Sequence, residues 1–178
     1  MTAMQFLYDD GGRASAGFRG TAGDCVVRAV AIATGQPYTV VYAALSAGAR
    51  AQRKTRRSRQ RASARDGVNV RRKWFRDYMA GLGWHWTPTM GIGTGCRIHL
   101  YGGELPAGRL VVSLSRHYTA VVDGVIHDTH DPQRETHCVE PDHGQPLRVG
   151  QWRNSNGVCS IARRCVYGYW SKDTQQGG

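Results

Sequence analysis

Residues 25 to 34, Cys-Val-Val-Arg-Ala-Val-Ala-Ile-Ala-Thr, form a run that is apolar nearly all the way round, and this run constrains the fold more than any other feature. Asp24 stands before it and Gly35 and Pro37 follow, so the spacing predicts a short helix with Asp24 as its N-cap. A helix without a polar face has to be covered on every side. The remaining elements are therefore expected to pack around it, and Cys25 falls in its first turn.

The flanking segments have a different character. Residues 9 to 23 are rich in Gly, Ser and Ala and read as an extended lead-in. A second helix is expected from Tyr38 or Thr39, with Val40, Val41, Ala44 and Leu45 inward, fading after Ala49. A third is expected from Asn69 or Val70 to Gly81, with Val70, Trp74, Tyr78 and Leu82 in one stripe. Beyond Gly83 the pattern changes to strands: Trp84 to Met90, Arg109 to Ser115, His117 to Val122, Val125 to Asp128, and Ala162 to Trp170. Asp123-Gly124 between two of these is the strongest hairpin signal in the chain. Residues 129 to 158 are polar and irregular. Helices followed by an antiparallel sheet is the α+β pattern, in one domain over residues 1 to 178.

Charge is distributed unevenly. The formal net charge is +11. The stretch from Arg50 to Arg76 holds twelve basic residues and one acid, and the other residues hold twelve of each. A near-neutral domain with a basic helical or loop insert at about 50 to 76 is implied, the insert standing outside the elements that bear the chemistry. Arg53, Lys54, Arg56, Arg57, Arg59 and Arg61 are its candidate contacts to nucleic acid or an acidic partner. No aromatic residue lies between Arg50 and Lys73 to stack on bases, and Trp74, Trp84 and Trp86 read as core or cleft aromatics. No apolar run approaches the length of a membrane span, and the N-terminus lacks the pattern of a secretory signal. Five cysteines, an odd number without a CxxC, argue against a disulfide framework and for a reducing cytoplasm, with at least some thiols free.

Cys25 at a helix N-terminus would meet unpaired N–H groups and the positive end of the dipole, which favour a thiolate and can hold an oxyanion. The alternative is a small buried hydrophobe. The hairpin adds a base. With Asp123-Gly124 as a two-residue turn, Val122 pairs with Val125, Thr119 faces Asp128 and His117 faces His130. Side chains alternate with period two, so His117 and Asp128 become diagonal neighbours on one face. The carboxylate can orient the imidazole, and the imidazole can take the thiol proton.

Gly23-Asp24-Cys25-Val-Val-Arg-Ala, followed by Ser115-Arg-His117-Tyr-Thr-Ala-Val-Val-Asp-Gly-Val-Ile-His-Asp128, resembles the papain-like cysteine peptidase superfamily, most closely its small phage-encoded members. The resemblance implies a papain-like fold in which N-terminal helices, with the nucleophile helix among them, pack on a C-terminal antiparallel sheet. It also implies Cys25 as nucleophile, His117 as general base and Asp128 as the orienting third member. The implied reaction is cleavage of a peptide, isopeptide or related amide bond without a cofactor, or acyl transfer through the same acyl-enzyme, in the cytoplasm (the host's, for a phage protein). The superfamily often places a Gln or Asn oxyanion donor a few residues before the Cys. Arg19, Gly20, Thr21 and Ala22 include neither, which leaves Arg19, the Thr21 hydroxyl or backbone N–H groups for that role.

His127, His130, Asp131, His137, Cys138 and His143 raise a zinc reading, but His127 and His130 should point to opposite faces of a strand. Cys96 and His99 lack a second pair at zinc spacing. No metal site is expected, and His130 is the alternative partner for Cys25. The rival to catalysis is a non-catalytic binding protein on this scaffold that uses the basic strip to engage nucleic acid or a host protein.

Overall fold

The computed structural model describes residues 3–52, 63–133 and 163–172 in full, and the backbone alone at 136–139, 151–154 and 157–161. Strand β1 is Gln5–Tyr8, followed by helices α1 (Cys25–Thr34), α2 (Tyr38–Ala51) and α3 (Lys73–Gly81), with a short 3-10 turn at Ala64–Asp66 before α3. Strands β2 (Trp84–Pro88), β3 (Arg109–Leu114), β4 (His117–Val122) and β5 (Val125–Asp128) come next, then β6 (Thr136–Val139), β7 (Gln151–Asn154), β8 (Gly157–Ile161) and β9 (Gly168–Lys172). The main sheet has six strands in the order β1-β5-β4-β3-β9-β2, and β6, β8 and β7 form a second sheet.

The architecture is α+β, but not helices followed by a purely antiparallel sheet. Strand β1 precedes every helix and pairs parallel with β5, Tyr8 opposite Asp128, so the main sheet is mixed. Gln5–Tyr8 is mostly exposed, so it gave no clear burial pattern in the sequence. Residues 129 to 158 read as irregular, yet β6, β7 and part of β8 fall within them.

Helix α1 is as expected. Seven of its ten residues are buried, and Gly35 ends it with φ of 73° while its N–H donates to the Ala31 carbonyl. The helix packs on β4 and β3. Val26, Val27 and Val30 share one core with Val41 and Leu45 of α2, Phe75 and Met79 of α3, and Val111, Ala120 and Trp170 of the sheet. The opposite face of the sheet holds a second core of Leu110, Val112, Leu114, Val121, Ile126 and Val166. Both faces of β3 are thus covered, which is why its sequence is a continuous apolar run rather than an alternation. Burying each such side chain contributes roughly 1.5–3 kcal/mol.

Helices α2 and α3 differ in detail from expectation. Val41 and Leu45 are fully buried, whereas Val40 is half exposed. Helix α3 starts at Lys73, leaving Val70 outside it. Its innermost residues are Phe75 and Met79, and Trp74, Tyr78 and Leu82 flank them at the core's edge. The last strand begins at Gly168, several residues after Ala162. Residues just before it pair instead with the loop after β2: Leu100 N–H donates to Arg164 O at 2.8 Å, and Val166 N–H to Ile98 O at 2.9 Å.

That pairing brings Cys96 and Cys165 together in a disulfide across 69 residues of chain, with Cα atoms 5.8 Å apart, a bond that the reading against a disulfide framework does not anticipate. Cys25 is the free cysteine among the described residues. Cys138 and Cys159 occupy paired backbone positions on β6 and β8. No helix among the described residues is long and apolar enough to cross a membrane.

Candidate active site

The β4–β5 hairpin has the expected register, with Val122 opposite Val125 and Ala120 opposite His127. Asp123 and Gly124 form its turn with φ of 48° and 81°, the left-handed pair that suits a two-residue loop. His117 begins β4 and Asp128 ends β5, and His117 Nε2 lies 2.6 Å from Asp128 Oδ2. The carboxylate is fixed from its other side, where Oδ1 accepts the Thr129 backbone N–H at 2.7 Å. It is also nearly fully buried.

With Nε2 engaged by Asp128, Nδ1 is the ring nitrogen left for a second partner. Cys25, at the start of α1, lines the same cleft as His117 and is close enough to act on the imidazole. Burial acts against a charged His117. The hydrogen bonds with Asp128 and Cys25 and the charges behind them outweigh it and raise the imidazole to about 9. Asp128 shows the complementary balance: burial pushes its carboxyl up, while His117 and the neighbouring hydroxyl and amide groups hold it below its ordinary value. Cys25, His117 and Asp128, which come from separate parts of the chain, are thereby brought together, with His117 bonded to Asp128 and within electrostatic reach of Cys25.

Asp24 does not act as the expected cap, since its side chain makes no hydrogen bond to the helix. Instead it is completely buried and serves as a hub. Its Oδ2 accepts Arg13 Nε at 3.0 Å and the Tyr38 hydroxyl at 2.5 Å. Arg28 Nη1 lies 2.9 Å from Oδ1. Arg13 also donates to the carbonyls of Phe18 and Arg19, so the Gly-rich lead-in is tied down rather than extended. The carboxylate beside Cys25 is drawn to these partners and does not cap the first-turn N–H groups of α1.

Cys25 and His117 both line a cleft of about 760 Å³. Gly23, Cys25, Val26, His117 and Tyr118 line its chemical end. Arg19 and Thr21 do not line it, whereas Ser113 and Tyr118 do. Trp86 and Trp170 line it as well, with ring centroids 5.4 Å apart. A Cβ at Gly168 would overlap the Trp86 ring, so the absence of a side chain there lets the indole lie across β9.

The basic segment is not outside this site. Asp66, Gly67, Arg71 and Arg76 all line the cleft. Gly23 and Gly67 pack so closely that a Cβ on Gly67 would meet the Gly23 carbonyl at 3.4 Å. Composition alone hid this placement, because twelve cations in a row look like one solvated strip. Arg53, Lys54, Arg56, Arg57, Arg59 and Arg61 lie outside the described residues.

His127 lies 3.1 Å from Asp9, while the His130 ring, in the bend after β5, stands 4.7 Å from that of His117. His117, Asp128 and His130 present donor atoms all within 4.8 Å of one another, and among the described residues this is the group that could hold a metal ion. A metal there would take the atoms that join His117 to Asp128. Comparison with known proteins gives no relative: no family model, no curated protein and no solved structure matches this chain.

Proposed function

We propose that the protein is a papain-like thiol hydrolase that cleaves an amide bond through Cys25, His117 and Asp128. The observation that supports this most strongly is His117 bonded to the buried Asp128 carboxylate and sharing the lining of one cleft with Cys25. The bland alternative, Cys25 as a small hydrophobe packed at the edge of the core, leaves the His117–Asp128 pair in the same cleft without a purpose.

Cys25 Sγ attacks the carbonyl carbon and a C–S bond forms as the oxygen takes the negative charge. First-turn N–H groups of α1 hold that oxygen. His117, charged after taking up the thiol proton, passes it to the leaving nitrogen, and the C–N bond breaks to leave a thioester and a free amine. Water then attacks the thioester, His117 accepts its proton, the C–S bond breaks, and acid and thiol are regenerated. Asp128 keeps the imidazole in the required tautomer throughout. An amine in place of water gives acyl transfer with the same residues.

The test is to incubate the protein with amide-derived and ubiquitin-like electrophilic probes and follow intact mass. An adduct on Cys25 that is absent in Cys25→Ala and strongly reduced in His117→Ala is expected. If Cys25→Ala keeps the biological effect and neutralising Arg53 to Arg61 abolishes it, the scaffold acts by binding instead.

A further inference from the structure

We propose that the Cys25 cleft selects a peptide or protein segment bearing acidic side chains beside the scissile amide, with Arg116, Arg71 and Arg76 as its carboxylate-binding groups; this rests on the acyl-transfer reading of Cys25. All three guanidinium residues line the cleft that contains Cys25 and His117. The acid in that lining is Asp66, so cations outnumber it three to one. Among the described residues none of the three is paired with a carboxylate. Arg76 Nη2 reaches the Arg71 carbonyl at 3.4 Å and leaves its charge uncompensated.

Arg116 is the most telling of them. Leu114 pairs with His117, so Ser115 and Arg116 form a two-residue turn, and Arg116 has φ of 56°. Glycine or asparagine adopts that conformation at little cost, whereas a long side chain is strained there. The turn is pinned by Arg164, whose Nη2 donates to the Ser115 carbonyl at 2.9 Å and Nη1 to the Pro132 carbonyl at 3.0 Å. A strained, exposed arginine that lines the cleft next to His117 has a use if a substrate carboxylate meets it.

The other two cations come from an independent part of the chain, the segment that leads into α3. The Arg71 charge is close enough to act on the buried Tyr118 hydroxyl. Trp86, Tyr118, Tyr167 and Trp170 offer flat surface to the body of a peptide. A phosphodiester strand would be drawn to the same cations. It would bring no acyl carbon to Cys25, and arginines that share one cleft with the thiol therefore favour the acidic peptide.

Matched peptidyl chloromethyl ketones, with Glu against Gln at one of the three residues before the ketone, test this on the full chain. Alkylation forms an S–C bond at Cys25 with loss of chloride, and its rate is read by intact mass. At one or more positions the Glu probe should react about tenfold faster than its Gln partner, as a charge-assisted contact implies. That ratio should fall toward one in Arg116→Gly, which suits the turn, and also in Arg71→Gln. Using the ratio within each variant cancels any change in the thiol itself. A ratio near one in the wild type, or a ratio that survives in both variants, overturns the proposal.

A second arm removes the chemistry: calorimetry of acidic hexapeptide amides and their Asn/Gln counterparts with Cys25→Ala. Acidic binding that Arg116→Gly abolishes, without alkylation of Cys25 by any probe, would keep the selectivity and refute the hydrolase. Fast alkylation by both Glu and Gln probes would do the reverse. Tighter binding of a deoxythymidine decamer than of the acidic hexapeptide, through the same arginines, would overturn the proposal in favour of nucleic acid.

Discussion

The Tyr38 hydroxyl, at the start of α2, donates a 2.5 Å hydrogen bond to the buried Asp24 carboxylate that immediately precedes Cys25. Burial, and then the Asp24 charge, push the Tyr38 hydroxyl well above its ordinary range, so it stays a donor. Arg13 and Arg28 complete the set. Breaking a buried charge network by deleting its centre is costly: Asp24→Ala should lower stability by about 3–5 kcal/mol. Tyr38→Phe, which removes one bond to a charged group, should cost about 2 kcal/mol. Urea denaturation of the three proteins gives both values. Equal, small losses would mean that the network does not hold α1 in place.

Stability should depend on pH in the alkaline range because of His117. Its ordinary value is 6.5 and in the folded chain it is raised to about 9. A raised value means that the folded state holds the proton more tightly, so the stabilisation is complete below 6.5 and is lost as pH rises through 9. The amount is on the order of 3 kcal/mol. Asp128 has the opposite sign: its value is lowered, and its contribution disappears as pH falls through the folded value. Asp128→Asn should flatten the alkaline loss, measured as the urea midpoint between pH 6 and pH 10, and the high-pH limb of any hydrolysis should move toward neutrality.

Cys96 and Cys165 should resist alkylation in the native, unreduced protein while Cys25 is modified, and peptide mapping after iodoacetamide distinguishes them. The bond closes a loop of 69 residues, for which chain entropy suggests about 4 kcal/mol. Cys165→Ser should therefore melt at a markedly lower temperature. If Cys96 is alkylated as readily as Cys25 without reductant, the bond is not formed in the protein as purified.

Arg116→Gly should stabilise the protein. A left-handed non-glycine residue costs about 1–2 kcal/mol. The extra chain entropy that glycine loses on folding is about 0.5–1 kcal/mol. Relief of strain is the larger of the two, and a gain of up to about 1 kcal/mol is expected in urea denaturation. A loss instead would show that Arg116 has a structural role.

What could be read in the sequence was local. The apolar run and Gly35 define α1 without help from the rest of the chain, and Asp123-Gly124 fixes the register that brings His117 to Asp128. What could not be read depends on distant partners. Asp24 has the residue type and position of a cap, and only the arrival of Arg13 and Tyr38 turns it into a buried hub. Cys96 and Cys165 carry no spacing signal, because unrelated backbone pairing aligns them. Strand β1 is short and exposed, and pairing with β5 is what makes it a strand. Arg71 and Arg76 belong by composition to one basic strip, and the packing of Gly67 against Gly23 brings that strip into the cleft.

The most direct measurement is the rate of Cys25 alkylation by iodoacetamide at pH 6, followed by intact mass and peptide mapping, in the wild type and in His117→Ala. An imidazole held by Asp128 in the same cleft as Cys25 should activate the thiol, so the wild-type rate should exceed that of the variant by at least about tenfold. Equal rates in the two proteins would contradict a Cys25–His117–Asp128 triad.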